Sequence, residues 1–236
     1  MEAVLIDYGA SNLHSVHKAL EQAGFTVVLT DSPERAAAAD VLISPGQGHF
    51  GQVMEQFLAS GFEPVVRAHL ASGKPFLGIC VGLQILMDAS EEAPNVPGLG
   101  LLPGVVKRFP ESHDEADPGY RVSVPQMGWN QIFFEGQSPL FMDVPDGAFV
   151  YFANSYYVDF DEAKLAQKDP DKDPEKGIGT HPHITSALTH YGRTTFRSAV
   201  SVGAIHATQF HPEKSQHVGL QVLSNFYAHA KQVLAA

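Results

Sequence analysis

Pro75-Phe76-Leu77-Gly78-Ile79-Cys80-Val81-Gly82-Leu83-Gln84 is the stretch on which the fold turns. Residues 75–79 form a short uncharged apolar run and read as a strand. Small residues then bracket a cysteine, and a helical pattern follows over about 83–87. Strand, tight turn and helix in that order require a strand end that opens directly into a helix N-terminus. Working outward, the first ninety residues repeat this alternation. Residues 3–6, 25–29 and 41–43 read as further strands. Leu13, Val16 and Leu20 mark one face of a helix that Ser11 or Asn12 can cap and Gly24 ends, and residues 51–58 and 64–70 read as two more helices. Strands alternating with helices predict a parallel sheet covered on both sides.

The texture changes near Glu91. Proline and glycine become frequent, and residues 122–124, 132–134, 149–157, 184–191 and 196–210 read as strands and hairpins, with a closing helix over 218–233. The expected fold is therefore α/β: a single three-layer domain with a mixed, mostly parallel central sheet flanked by helices, the elbow following a central strand. Two segments read as solvated loops. Residues 111–118 hold four acids and no base, and residues 159–176 hold seven acids and four lysines. The stretch 159–183 is expected to be an acidic surface insertion in one domain spanning 1–236.

The chain has 236 residues, enough for a sizeable core. With 44% hydrophobic and 17% charged residues it has the composition of a globular protein. Fifteen basic against twenty-six acidic residues give a net charge of −11, which argues against nucleic-acid and anionic-membrane partners. A single cysteine excludes an intramolecular disulfide. The opening Met1-Glu2-Ala3-Val4-Leu5-Ile6-Asp7 lacks a basic region, so no signal peptide is expected, and no window approaches a membrane span. The expected location is the cytoplasm.

Gly78-Ile79-Cys80-Val81-Gly82 has the nucleophile-elbow pattern with cysteine at the centre. Taken alone it fits a buried core cysteine equally well. A nucleophilic cysteine needs a base, and the base needs an orienting partner. Gln209-Phe210-His211-Pro212-Glu213-Lys214-Ser215 follows a strand-like run and offers both. His211 can be the base, and Glu213, two residues on along an extended backbone, can hold its imidazole. Pro45-Gly46-Gln47-Gly48 reads as a plain turn or as a source of N–H groups for an oxyanion. His181-Pro182-His183 and the trio His206, His211 and His217 match no common metal spacing, so no metal and no cofactor is expected.

These three motifs, in this order, resemble those of the class I (triad-type) glutamine amidotransferases. Asp7-Tyr8-Gly9-Ala10-Ser11-Asn12-Leu13-His14-Ser15-Val16, Val124-Pro125-Gln126-Met127-Gly128-Trp129-Asn130 and Tyr151-Phe152-Ala153-Asn154-Ser155-Tyr156-Tyr157 are similar, more narrowly, to the glutaminase subunits of imidazole glycerol phosphate synthases. That resemblance covers nearly the whole chain. It implies that Cys80 attacks the side-chain amide of L-glutamine, that His211 moves the proton and that Glu213 orients it. It also implies an oxyanion hole from backbone around Gly46, Gln47, Gly48 and Val81, with the 46–47 region acting as a switch. Gln84, Tyr151, Asn154, Ser155 and Tyr156 match the glutamine-binding stretch.

The implied partner is a cyclase subunit, a (β/α)₈ barrel that takes up the ammonia and makes imidazole glycerol phosphate and AICAR in histidine biosynthesis. The implied assembly is a heterodimer, with Asn12, Trp129 and Lys214 at the interface. Trp129 also reads as a core aromatic and Lys214 as a solvated lysine. Asn154 stands where the family commonly has histidine, which removes a group able to titrate near neutral pH. Ala10-Ser11 replaces a common Met-Gly. The rival readings are the glutaminase of another pathway (pyridoxal phosphate or anthranilate synthesis), a stand-alone cysteine hydrolase and a non-enzymatic docking module.

Overall fold

A computed structural model of the chain describes residues 1–9, 12–110, 122–161, 164 and 185–235. The possible cap Ser11, the acidic stretch 111–118, most of 159–183 and the histidines at 113, 181 and 183 lie outside the described residues.

Twelve strands and six α-helices make up the described chain. In order they are β1 (Glu2–Ile6), α1 (Leu13–Gln22), β2 (Thr26–Thr30), α2 (Pro33–Ala37), β3 (Leu42–Ser44), α3 (Phe50–Ala59), α4 (Phe62–Ala71), β4 (Phe76–Ile79), α5 (Val81–Gln84), β5 (Ala89–Ser90), β6 (Gly104–Arg108), β7 (Gln126–Glu135), β8 (Ala148–Asn154), β9 (Tyr156–Phe160), β10 (Thr185–Tyr191), β11 (Thr194–Val202), β12 (Ile205–Thr208) and α6 (Gln216–Ala235). Nine strands form one sheet in the order β2-β1-β3-β4-β12-β11-β10-β7-β8. The first five are mutually parallel, and every pairing from β12 onward is antiparallel.

The burial pattern follows from this topology. β3, β4 and β12 are buried at every residue, as strands with helices on both faces must be. β2, at the parallel edge, is only half covered, and β8 alternates between buried and partly exposed residues. Helix α6 lies against this layer: Phe226 packs on Phe25 at 5.7 Å between ring centroids and on His206 of β12 at the same distance. Elsewhere Tyr8 meets Phe57 of α3 edge-on at 5.3 Å.

Several expectations need correcting. Asn12 precedes α1 with φ 66° and its side chain makes no cap, because its amide is drawn to Glu213 instead. The helix after Cys80 begins at once and ends at Gln84, rather than spanning 83–87. Residues 122–124 are not a strand; β7 starts at Gln126 and runs through the predicted 132–134. The run 149–157 is broken at Ser155 into strands of different sheets. Asp159 and Phe160, expected in the acidic loop, belong to β9 and pair with Val105 and Gly104 of β6. A second sheet, β5-β6-β9, was not legible at all. Helix α2 was also missed, although Ser32 followed by Pro33 is a helix-start signal, and the Ser32 hydroxyl accepts from the Arg35 N–H at 3.1 Å.

Candidate active site

The parallel half of the sheet ends in a tight turn at Cys80, between β4 and α5. Cys80 has φ 55° and ψ −109°, a conformation that costs a non-glycine residue energy unless its surroundings impose it. The surroundings do. The Cys80 N–H donates to the Thr208 carbonyl at the end of β12 at 2.7 Å, and its carbonyl accepts from Leu83 and Gln84 at 3.0 and 3.3 Å. The flanking glycines supply the room. A Cβ on Gly78 would lie 2.7 Å from the Gly82 carbonyl oxygen, and a Cβ on Gly82 would lie 2.0 Å from that of Ser44. Cys80 is 4% exposed, at the start of α5.

The parallel neighbour of β4 is β12, so the residues after β12 emerge beside the elbow. His211 is 2% exposed, and its Nδ1 lies 2.8 Å from Glu213 Oε1. A carboxylate oxygen accepts, so Nδ1 carries the hydrogen and Nε2 is left for Cys80. The expected contact is present, but Glu213 reaches it through a 3₁₀ turn over Pro212–Lys214 and not along an extended strand. Burial pulls the His211 imidazole down, but negative charge at Cys80 and then the Glu213 carboxylate outweigh it and raise it well above its ordinary value. The backbone of His211 is anchored at both ends. Its N–H donates to the Tyr151 carbonyl at 2.9 Å, and its carbonyl accepts from the Ser215 hydroxyl at 2.6 Å. The same hydroxyl accepts from the Tyr151 N–H at 2.9 Å, a tie between β8 and the histidine that sequence reasoning missed.

The turn after β3 packs directly on the elbow. The Gly46 carbonyl accepts from the Val81 N–H at 3.4 Å, so in this conformation Gly46 presents its oxygen rather than its N–H to α5. Pro45 and Gly46 are buried, Gln47 is half-buried and Gly48 is exposed with φ 115°. Tyr8, also missed from sequence, donates its hydroxyl to the Pro45 carbonyl, and burial raises its phenol. A small cavity lined by Asn12, Pro45, Gly46, Ile79, His211 and Glu213 lies beside the histidine. Asn12 Nδ2 contacts Glu213 Oε1 there at 3.5 Å.

Of the expected glutamine-binding residues, Gln84, Asn154 and Tyr156 come together. Both Gln84 Nε2 and Asn154 Nδ2 donate to the Tyr156 carbonyl, at 3.3 and 2.9 Å. Gln84 also donates to Gln209, which reaches Cys80, so Gln209 joins the site although only its neighbours in the motif were singled out. Ser155 marks the break between β8 and β9, and its carbonyl accepts from Phe109. Tyr151 faces the other way, under Lys214 Nζ at 5.9 Å and against Trp129 at 6.0 Å. Trp129 is 45% exposed, so the reading as a core aromatic is wrong; exposed Met127 and Phe149 extend the same region. Among the described residues no group of three or more His, Cys, Asp or Glu is arranged to hold a metal ion, and no helix is long and apolar enough to cross a membrane.

Fold and site together define a class. The family model for class-I glutamine amidotransferases matches residues 4–230, and the chain belongs to that family. Solved structures agree on the fold: a crystal structure of a glutamine amidotransferase superposes with a TM-score of 0.63 at 18% identity, covering 99% of each chain. The glutaminase domain of Trypanosoma brucei CTPS with bound acivicin gives 0.61 at 15%, over 98% of this chain and 94% of that one. Closer relatives narrow the class. The imidazole glycerol phosphate synthase subunit HisH of Deinococcus radiodurans is 46% identical over 95% of this chain and 92% of its own. Those of Syntrophotalea carbinolica and Thermus thermophilus are 45% and 44% identical, over 94% and 95% of this chain and 98% and 96% of theirs. Within the class, the chain is a member of this HisH family.

Proposed function

We propose that the chain is the glutamine-hydrolysing subunit of an imidazole glycerol phosphate synthase, working through Cys80, His211 and Glu213. The observation that carries the reading is the buried His211–Glu213 pair at 2.8 Å beside a cysteine held at positive φ on the elbow. The HisH relatives supply the pathway. His211 Nε2 takes the thiol proton, and Cys80 Sγ attacks the side-chain amide carbon of L-glutamine. The C–N bond breaks as His211 returns the proton to the leaving nitrogen, giving ammonia and a γ-glutamyl thioester. Water, deprotonated by His211, then splits the thioester to glutamate and restores the thiol. Glu213 keeps the imidazole in the working tautomer and offsets its positive charge. The chemistry calls for no cofactor or metal.

The negative oxygen of each tetrahedral intermediate needs N–H donors. Val81 and the backbone of Gly46, Gln47 and Gly48 are assigned that role. Because the Val81 N–H is bonded to the Gly46 carbonyl, the turn rotates before the hole forms. That requirement suits a switch thrown by the partner. Gln84, Asn154, Ser155 and Tyr156 frame the glutamine pocket in this reading, and Tyr151, expected there, stands instead on the side of Trp129 and Lys214. Asn154 acts there by hydrogen bonding alone.

Free ammonia would protonate in water and lose its nucleophilicity, so the reading includes a cyclase subunit, a (β/α)₈ barrel, docked over the site as a heterodimer. Exposed Trp129 and Lys214, joined through Tyr151, and Asn12, joined to Glu213, support an interface there. The cyclase converts the ammonia and a ribonucleotide to imidazole glycerol phosphate and AICAR. The whole chain acts as one domain in the cytoplasm, with the acidic insertion counted from after β9 rather than from 159. The test is Cys80→Ala in the complex: glutamine-dependent synthesis is lost and ammonia-dependent synthesis survives. Survival of both would remove Cys80 from the chemistry.

A further inference from the structure

We propose that Gln209 is a further catalytic residue, donating a side-chain N–H to the Cys80 sulfur with its amide held the right way round by Gln84. The inference rests on the reading of Cys80 as nucleophile. Gln209 follows β12 and is wholly buried, and its backbone N–H donates to the Ser198 carbonyl at 2.8 Å. A buried carboxamide is costly unless both ends are bonded. One end lies 3.0 Å from Gln84 Nε2 and the other 3.6 Å from Cys80 Sγ.

The polarity of this chain follows from chemistry, whichever way each amide is drawn. The Tyr156 carbonyl can only accept, so the end of Gln84 that faces it, at 3.3 Å, is the NH₂ group. That same NH₂ then requires the oxygen of Gln209 opposite it. The end of Gln209 left for the sulfur is therefore its NH₂. Asn154 Nδ2 donates to the same Tyr156 carbonyl at 2.9 Å and braces the anchor. An N–H aimed at sulfur favours the thiolate, which only accepts, over the thiol. It also competes with no proton on the way to His211, since that proton leaves toward Nε2. Gln84 thereby acts on the nucleophile as well as on the substrate, as a positioning residue two hydrogen bonds away.

The chain has one cysteine, so alkylation by iodoacetamide reports on Cys80 alone. The experiment follows its rate against pH in the purified chain for wild type, Gln209→Met, Gln209→Glu and Gln84→Met, with thermal unfolding as the check on folding. Gln209→Met keeps length without the donor. Gln209→Glu keeps shape and the acceptor for Gln84 and, once ionised, puts a negative charge in place of the donor. Both are expected to move the midpoint of the pH profile upward and slow alkylation at neutral pH about ten-fold, the size of a lost hydrogen bond to a charged group. Gln84→Met, which frees the amide to turn over, is expected to shift the profile in the same direction by less. A profile for a folded Gln209 variant that overlays the wild type overturns the proposal. The triad reading fails separately, if Cys80→Ala retains glutamine-dependent synthesis.

Discussion

A methyl group added at Gly82 tests the packing that builds the site. Gly82 lies in α5, two residues past the nucleophile position, and its Cβ would sit 2.0 Å from the Ser44 carbonyl oxygen and 3.0 Å from the Ser44 carbonyl carbon. Ordinary contact begins near 3.4 Å, so roughly 1.4 Å must open between α5 and the end of β3. The obstacle is backbone and cannot swing aside. Overpacking of this kind costs about 3 kcal/mol, which for a domain of this size lowers Tm by about 6–12 °C. The opening also carries Pro45 and Gly46 away from Val81, and a displacement of about 1 Å at a reacting centre costs about a hundred-fold in rate. The assay is paired: thermal unfolding of Gly82→Ala, and its glutamate release in the complex. Gly48→Ala is the contrast, since a Cβ there meets nothing within 4 Å and suffers only from φ 115°. It should cost about 1 kcal/mol. Gly82→Ala that melts within about 1 °C of wild type and keeps its activity would refute the reasoning that β3 and the elbow are packed backbone to backbone.

Two pH dependences follow from buried histidines. His211 is raised to about 10 against burial, first by negative charge at Cys80 and then by Glu213. Its contribution to stability is thus complete below the unfolded value of about 6.5 and is lost as pH rises toward 10. NMR titration should find the His211 ring still protonated at neutral pH, with the midpoint falling in Cys80→Ala; a wild-type midpoint near 6.5 would contradict this. His206 has the opposite sign. Burial first, and His229 second, lower it to about 3; its Nδ1 bonds Ser201 and its other nitrogen has no partner among the described residues. Its stabilisation is complete above about 6.5 and lost as pH falls toward 3, at most about 5 kcal/mol. His206→Phe should flatten the acid limb of stability measured by denaturant unfolding, with Ser201 still bonded to Ser138 at 2.7 Å; an unchanged limb would show that His206 does not govern it.

What was legible in the sequence was local. Gly78, Cys80 and Gly82 announced the elbow because the need for small residues arises within five positions. His211 and Glu213 announced their contact for the same reason, although the turn at Pro212 rather than strand alternation delivers it. What depends on distant partners was not legible. Asn12 looked like a helix cap until Glu213, 201 positions away, took its amide. The sheet β5-β6-β9 rests on a two-residue strand and on pairings between Gly104–Arg108 and Tyr156–Phe160, too short and too far apart to leave a period. Gln209 was visible only as part of a motif, because the pairing of β12 with β4 is what brings it to Gln84 and Cys80, 125 and 129 positions away.

The central claim is a glutaminase that its partner switches on. It is tested most directly by glutamate release from glutamine by the purified chain, alone and with the proposed cyclase subunit plus that subunit's ribonucleotide substrate. With the Val81 N–H held by the Gly46 carbonyl, the account predicts slow release alone and a steep rise only when both are present. Brisk release by the chain alone, unaffected by the cyclase, would contradict it and leave a hydrolase that works without a partner.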